Sequence, residues 1–90
     1  MHVELLGIPR ERAGVAELEL EAVTLGQLLK ALAVRFPSLR ELVVVDGADG
    51  ADRLQPSFTA NLNGDRFISD PRTRLEEDDS VLILSADAGG

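Results

Sequence analysis

The chain contains no cysteine, no tryptophan and no tyrosine, and it has one histidine and one lysine. Without cysteine there is no disulfide, no thiolate metal site, no thiol nucleophile and no side-chain persulfide. The single histidine, His2, lies close to the N-terminus and reads as a surface ring, so Ser/His/Asp catalysis is excluded. Three aromatics (Phe36, Phe58, Phe67) and nine basic residues against sixteen acidic ones supply neither a stacking platform nor a basic stripe, which excludes nucleic acid as a partner. No window approaches the roughly 18 continuous apolar residues of a membrane span. Residues Met1–Arg10 also lack the basic-then-apolar pattern of a secretory signal, so the expected location is cytoplasmic, with no membrane partner.

What remains is a chain of 90 residues, 44% hydrophobic, with a formal charge of −7. These values describe one compact acidic domain, 1–90, with a small core and no room for a large cofactor pocket. The charge is even along the chain: five basic and eight acidic residues in 1–50, four and eight in 51–90. A surface of this sign favours basic protein partners.

His2–Leu6 has the apolar density of a strand and is punctuated by Gly7-Ile8-Pro9. From Ala16 to Ala22 the pattern alternates, with Leu18, Leu20 and Ala22 against Glu17, Glu19 and Glu21, as in a half-buried strand. Residues 1–22 therefore read as a hairpin with a loop at Pro9–Gly14. Thr24 precedes Gln27 by three residues, a capping-box spacing that predicts a helix start. Leu25, Leu28, Leu29, Leu32 and Phe36 then form one apolar stripe about 18 Å long, stopped by Pro37. Ser38–Val45 reads as an extra turn or an extended run, and Asp46–Asp52 as a flexible loop.

Ser57–Asn63 alternates again, and Asn63-Gly64 predicts a tight hairpin returning through Arg66-Phe67-Ile68. After the acidic run Glu76–Asp79, which reads as a solvated turn rather than a metal loop, come Val81-Leu82-Ile83-Leu84. Four consecutive apolar residues imply a strand buried on both faces, hence central in its sheet. Its natural neighbour is the first strand. The order β-β-α-β-β-β with a central last strand predicts an α+β fold of the β-grasp (ubiquitin-like) kind: a mixed sheet of four to five strands with one main helix across it.

Beyond that strand the chain runs Ser85-Ala86-Asp87-Ala88-Gly89-Gly90. Two terminal glycines arise by chance in only about 0.5% of chains at average glycine usage. They make chemical sense if the terminal carboxylate is the reacting group on a flexible tail from about 86 to 90. Six extended residues reach roughly 20 Å, and glycines let a partner enclose the backbone closely. A carboxylate resists nucleophiles until its oxygen becomes a leaving group, so an ATP-using partner must first adenylate Gly90. The other glycines (Gly7, Gly14, Gly26, Gly47, Gly50, Gly64) form no phosphate cradle; Gly26 marks a first helical turn or a close approach. Arg66, Arg72 and Arg74 are read as a scattered solvated surface, with a partner patch as the alternative.

Thr24-Leu25-Gly26-Gln27-Leu28-Leu29-Lys30-Ala31-Leu32 before Phe36-Pro37, then Asn61-Leu62-Asn63-Gly64, then Leu75-Glu76-Glu77-Asp78-Asp79-Ser80-Val81-Leu82-Ile83-Leu84, then Gly89-Gly90, resembles the small β-grasp sulfur carriers. These are the MoaD/ThiS-type proteins, which include the small subunit of molybdopterin synthase and the carrier of thiazole synthesis. The resemblance implies a carrier rather than an enzyme. An adenylyltransferase/sulfurtransferase related to ubiquitin-activating enzymes would use ATP to convert Gly90 to an acyl-adenylate, and a sulfur donor would then leave a thiocarboxylate there. Ala88 and Gly89 would be the threading tail, the sheet face a docking surface, and no cofactor or metal would be bound by this chain.

The acceptor implied is the large subunit of molybdopterin synthase, which would hold the catalytic residues, or another sulfur-accepting enzyme of thiazole or cysteine synthesis. Length and the Val45–Pro56 stretch resemble the molybdopterin branch. Glu77-Asp78-Asp79 lacks that family's turn glycine, and Ser85–Ala88 lacks the Pro-Pro of that branch. A ubiquitin-like protein modifier and a β-grasp binding module remain as alternatives.

Overall fold

A computed structural model of the chain describes residues 1–42, 44–46 and 52–86. The elements are β1 (His2–Leu5), α1 (Ile8–Ala13), β2 (Glu17–Glu19), α2 (Leu25–Arg35), α3 (Ser38–Leu42), β3 (Val44–Asp46), β4 (Asp52–Leu54), β5 (Phe58–Leu62), β6 (Arg66–Ile68) and β7 (Ser80–Ser85). The main sheet has the order β2-β1-β7-β5-β6, and β3-β4 form a separate antiparallel ribbon. β7 is central, parallel to β1 and antiparallel to β5, as its unbroken apolar run requires.

The helix α2 forms where the capping signal places it. Thr24 is its N-cap; the Gln27 amide donates to Thr24 Oγ1 at 3.2 Å, and Gln27 Oε1 accepts from the Val23 amide at 3.1 Å. Leu25, Leu28, Leu29 and Leu32 of its apolar stripe are almost wholly buried, and they join Val3, Leu5, Ala60, Leu62, Ile68, Val81 and Ile83 in one core. Burying each leucine contributes about 1.5–3 kcal/mol, so this stripe is the largest block of the core. Phe36 ends the helix half-buried, its N–H returning to the Leu32 carbonyl at 2.8 Å.

Three segments differ from the sequence expectation. The loop expected at Pro9–Gly14 is largely α1: proline is at home in a first helical turn, and Gly14, at φ 80°, closes the helix in the left-handed region with its N–H on Arg10 O. Second, Ser38–Leu42 is helical and Val44–Asp46 is extended, so the stretch holds both of the conformations weighed for it. Third, the edges of the expected Asp46–Asp52 loop pair as strands, and the Asp52 side chain, only 5% exposed, lies 3.2 Å from Arg40 Nη1. Residues 47–51 lie outside the described residues.

Gly26 sits where α2 touches the Pro71 turn. Its amide donates to Pro71 O at 2.9 Å, and a Cβ added there would lie 3.1 Å from Pro71 Cβ and 3.2 Å from that carbonyl oxygen. Replacing a helical glycine by alanine ordinarily gains up to about 1 kcal/mol. Here overpacking against a buried turn costs about 1–3 kcal/mol, so Gly26→Ala is expected to lower stability by about 1 kcal/mol. Urea denaturation of the two proteins checks the sign.

Candidate functional site

The candidate site is the central strand β7, the open face of the sheet and the point where the chain leaves it. Strand pairs that sit opposite one another share a face. Val3, Val81, Leu62 and their neighbours point toward α2, whereas the other set carries His2 and Glu4 of β1, Glu17 and Glu19 of β2, Leu82 of β7, Asn61 of β5 and Phe67 of β6. This open face has two halves. One is acidic, at Glu4, Glu17 and Glu19; the other is apolar, with half-buried Leu82 and with Phe67 at 59% exposure. Between them a depression of about 190 Å³ is lined by Glu4, Asn61, Gly64, Ser80, Val81 and Leu82.

At its far end β7 is held on both sides. The Leu6 amide donates to Ile83 O at 2.9 Å, and the Ala86 amide donates to Ser57 O at 2.8 Å. Ala86 is the last residue described; Ala88, Gly89 and Gly90, the proposed tail and reacting group, lie outside the described residues. Leu6, which makes the first of these bonds, is 43% exposed. The last strand of the chain is thus the central one and is held on both sides.

At its near end β7 is fixed by an arrangement that sequence reading did not find. Asn63, at φ 58°, and Gly64, at φ 68°, make the tight turn expected of Asn-Gly. The Asn63 side chain also reaches across the sheet: its Nδ2 donates to Asp79 Oδ1 at 2.9 Å, and its Oδ1 accepts from the Ser80 amide at 2.7 Å. Asp79 Oδ2 in turn accepts from the Glu76 amide at 2.7 Å. The acidic run before β7 is therefore a built turn, closed by the Asp79 side chain in a stretch without glycine. Pairing of Asn63 with Asp79 became visible only once the register of β5 and β7 was known.

The Asn63 hydrogen bond, followed by the Glu76 amide, holds the Asp79 carboxyl below its ordinary range. A lowered folded-state value stabilises the fold above the unfolded value near 4, and that contribution is lost as pH falls through the lower folded value. Asn63→Gly keeps the left-handed turn but removes both side-chain bonds, and is expected to cost about 1–3 kcal/mol near pH 7. The gap between mutant and wild type should narrow as acid protonates Asp79. Denaturation curves at about pH 7 and about pH 2 measure it.

The remaining candidates are structural. Arg72 pairs with Asp70 at 3.3 Å, which with the Arg72 amide holds the Asp70 carboxyl below its usual range; the backbone bond is the larger cause. Arg66 and Arg74 are brought to one depression, where Asp65, Glu76 and Asp79 share the lining with them. The first amides of α2 are already bound to Thr73 O, Pro71 O and Thr24 Oγ1, so its N-terminus offers no free donor to a phosphate. No helix among the described residues is long and apolar enough to cross a membrane.

A mixed five-stranded sheet with its central last strand parallel to the first, and α2 across one face, defines a β-grasp, ubiquitin-like domain. The chain belongs to the ThiS family, whose model matches residues 3–90. It thereby joins a group of small sulfur carriers and ubiquitin-like proteins that are generally not catalysts themselves. Among solved structures it is similar to the small archaeal modifier protein 1 (SAMP1) from Methanosarcina acetivorans, with 26% identity, a TM-score of 0.78, and 99% of this chain and 94% of that one covered. A putative molybdopterin converting factor subunit 1 from Pyrococcus furiosus shares the fold at 24% identity and TM-score 0.72, with 93% of each chain covered. So does a structure of the Amycolatopsis orientalis BexX/CysO complex, at 19% identity and TM-score 0.77, covering 99% of this chain and 98% of the other. A search of curated proteins found no match.

Proposed function

We propose that the chain carries sulfur as a thiocarboxylate on Gly90 and delivers it as the small subunit of a molybdopterin synthase. The observation that supports this most is the join of β7 to the tail. A central strand, hydrogen-bonded on both sides through Ile83 and Ala86, leads directly into Asp87-Ala88-Gly89-Gly90.

In this reading the Gly90 carboxylate oxygen attacks the α-phosphorus of ATP in an activating partner, releasing pyrophosphate and forming an acyl-adenylate. A sulfur nucleophile then displaces AMP. Side-chain-free Gly89 and Gly90 pass through the partner's channel, while the open face, apolar at Leu82 and Phe67 and acidic beyond, docks the body. The absence of cysteine is consistent with sulfur held on the terminal carbonyl carbon. The ThiS-family match supports the carrier role, and chain length and the segment containing β3 and β4 favour the molybdopterin acceptor.

A second reading, protein modification through an isopeptide bond from Gly90, is favoured by the similarity to SAMP1, which its name describes as a modifier. Intact and fragment mass spectrometry of protein from its native cells separates the two. Replacement of oxygen by sulfur at Gly90 supports the carrier. Conjugates of raised mass that vanish when Gly90 is removed support the modifier, and a chain that its host's activating enzyme cannot adenylate overturns both.

A further inference from the structure

We infer that His2 is a proton-operated clamp on the edge of the sheet: with both ring nitrogens protonated it ties β2 to β1 across the open face, and on losing a proton it loosens that edge. The device does not depend on the proposed sulfur chemistry.

Strand geometry brings the charges together. His2 and Glu4 are two apart on β1 and so share a face, and the antiparallel register sets Glu17 opposite Glu4 and Glu19 opposite His2. His2 Nε2 lies 3.3 Å from Glu4 Oε1 and 3.7 Å from Glu17 Oε2, and Nδ1 lies 3.2 Å from Glu19 Oε1. A neutral imidazole has one N–H and one lone pair, so it can serve one of these sides and must turn a lone pair on a carboxylate at the other. The imidazolium donates at both nitrogens. Carboxylates on both sides of one ring are therefore the surroundings of the charged form.

Little else offsets these glutamates. Among the described residues Glu4, Glu17 and Glu19 pair with no lysine or arginine, and the one further positive charge beside them is the Met1 ammonium, 3.8 Å from Glu19 Oε2 and bonded to Leu20 O at 2.7 Å. Glu21, next in the row, lies beside Met1 and Glu19. On the other flank of β1, β7 sets the uncharged Ser80 opposite His2. The His2 amide donates to Asp79 O at 3.1 Å, but the Asp79 carboxylate is turned to the Asn63 side chain and the Glu76 amide. Proton loss from the ring therefore leaves a row of carboxylates along the β1–β2 seam, offset by one ammonium.

β2 is the element that such a change reaches. It has three residues and pairs on one side, with β1. Like charges set opposite one another across a strand pair destabilise it. The Glu19 hydrogen bond first, with the charges of Glu17 and Glu19 and the Glu4 bond, holds the His2 pKa above its ordinary value against the cost of desolvation. A raised folded value means that the clamp is complete below about pH 6.5 and is lost as pH rises through that higher value.

The test is amide hydrogen exchange, joined to NMR titration of the ring, on untagged, full-length protein from about pH 6 to about pH 9. Adjacent amides at the end of β1 report its two flanks: Leu5 donates to Ala16 O on the β2 side, and Leu6 donates to Ile83 O of β7. The Leu20 amide, bonded to Met1 O, is a second probe of the edge. Protection of Leu5 and Leu20 relative to Leu6 is expected to fall roughly 2–5-fold as the ring titrates, with a midpoint above about 6.5 that drops in Glu19→Gln. His2→Gln should remove the pH dependence, and His2→Lys, charged across this range, should keep the edge protected at about pH 9. A ring midpoint at or below about 6.5, Leu5 and Leu20 tracking Leu6 through the titration, or a pH-dependent loss that survives His2→Gln overturns the proposal.

Discussion

Deleting Gly89 and Gly90 is expected to abolish adenylation and sulfur loading while leaving the melting temperature unchanged. The truncated chain still ends in a carboxylate, so the effect is one of position. Two extended residues span about 7 Å, and a misplacement of even about 1 Å can cost 10²-fold in rate where reacting groups must be held in line. A carboxylate withdrawn by the length of two residues no longer meets the α-phosphate of ATP. None of the core residues of the domain is removed, so stability should not report the change. Pyrophosphate exchange with the host's activating enzyme, measured beside a melting curve, checks both halves. Exchange at the wild-type rate would place the chemistry somewhere other than Gly90.

Leu28→Ala is expected to produce the opposite pattern, a large loss of stability from a residue of the core. Leu28 is wholly buried in the middle of the α2 stripe. Truncation there removes the transfer energy of the lost carbons and leaves a cavity, a combined cost of about 2.7–5 kcal/mol. For a domain of this size each kcal/mol lowers the melting temperature by about 4–8 °C, so a fall of roughly 10–40 °C is expected. Total stabilities run to only about 5–15 kcal/mol. Calorimetry on the variant and wild type gives the number directly, and a fall of under about 1 kcal/mol would mean that the α2 stripe carries less of the core than its burial implies.

The features legible in the sequence are those written in local periodicity. The alternation at Glu17–Glu19, the leucine stripe of α2, the Asn63-Gly64 turn and the unbroken Val81–Leu84 run each fix an element by its neighbours along the chain, and the last of them also fixed the centre of the sheet. A short helix bounded by proline and glycine was missed. α1 has six residues, and its Pro9 and Gly14, taken as loop signals, are its start and its cap.

Long-range polar arrangements were missed for another reason. Asn63 with Asp79, and Arg40 with Asp52, join residues whose proximity depends on strand register or on the path of the β3–β4 ribbon. Residue type alone carries no sign of it. The same holds for His2, whose ring meets Glu17 and Glu19 only because β2 is laid beside β1. At the candidate site, the sequence singled out the tail and the sheet face, while the turn that anchors β7 emerged from the fold.

The parallel pairing of β1 with β7 has a kinetic consequence. His2 lies opposite Ser80 and Leu5 opposite Ile83, so the middle of the sheet is made by strands from opposite ends of the sequence. Contacts of such high order cost loop-closure entropy before they return any energy, which slows folding relative to a helical domain of the same length. Only a fragment that spans nearly the whole chain contains both halves of the central pairing, so a nascent chain lacks a finished sheet until its last strand is made. The arrangement couples completion of the central strand pair to synthesis of the whole domain, a form of proofreading by topology.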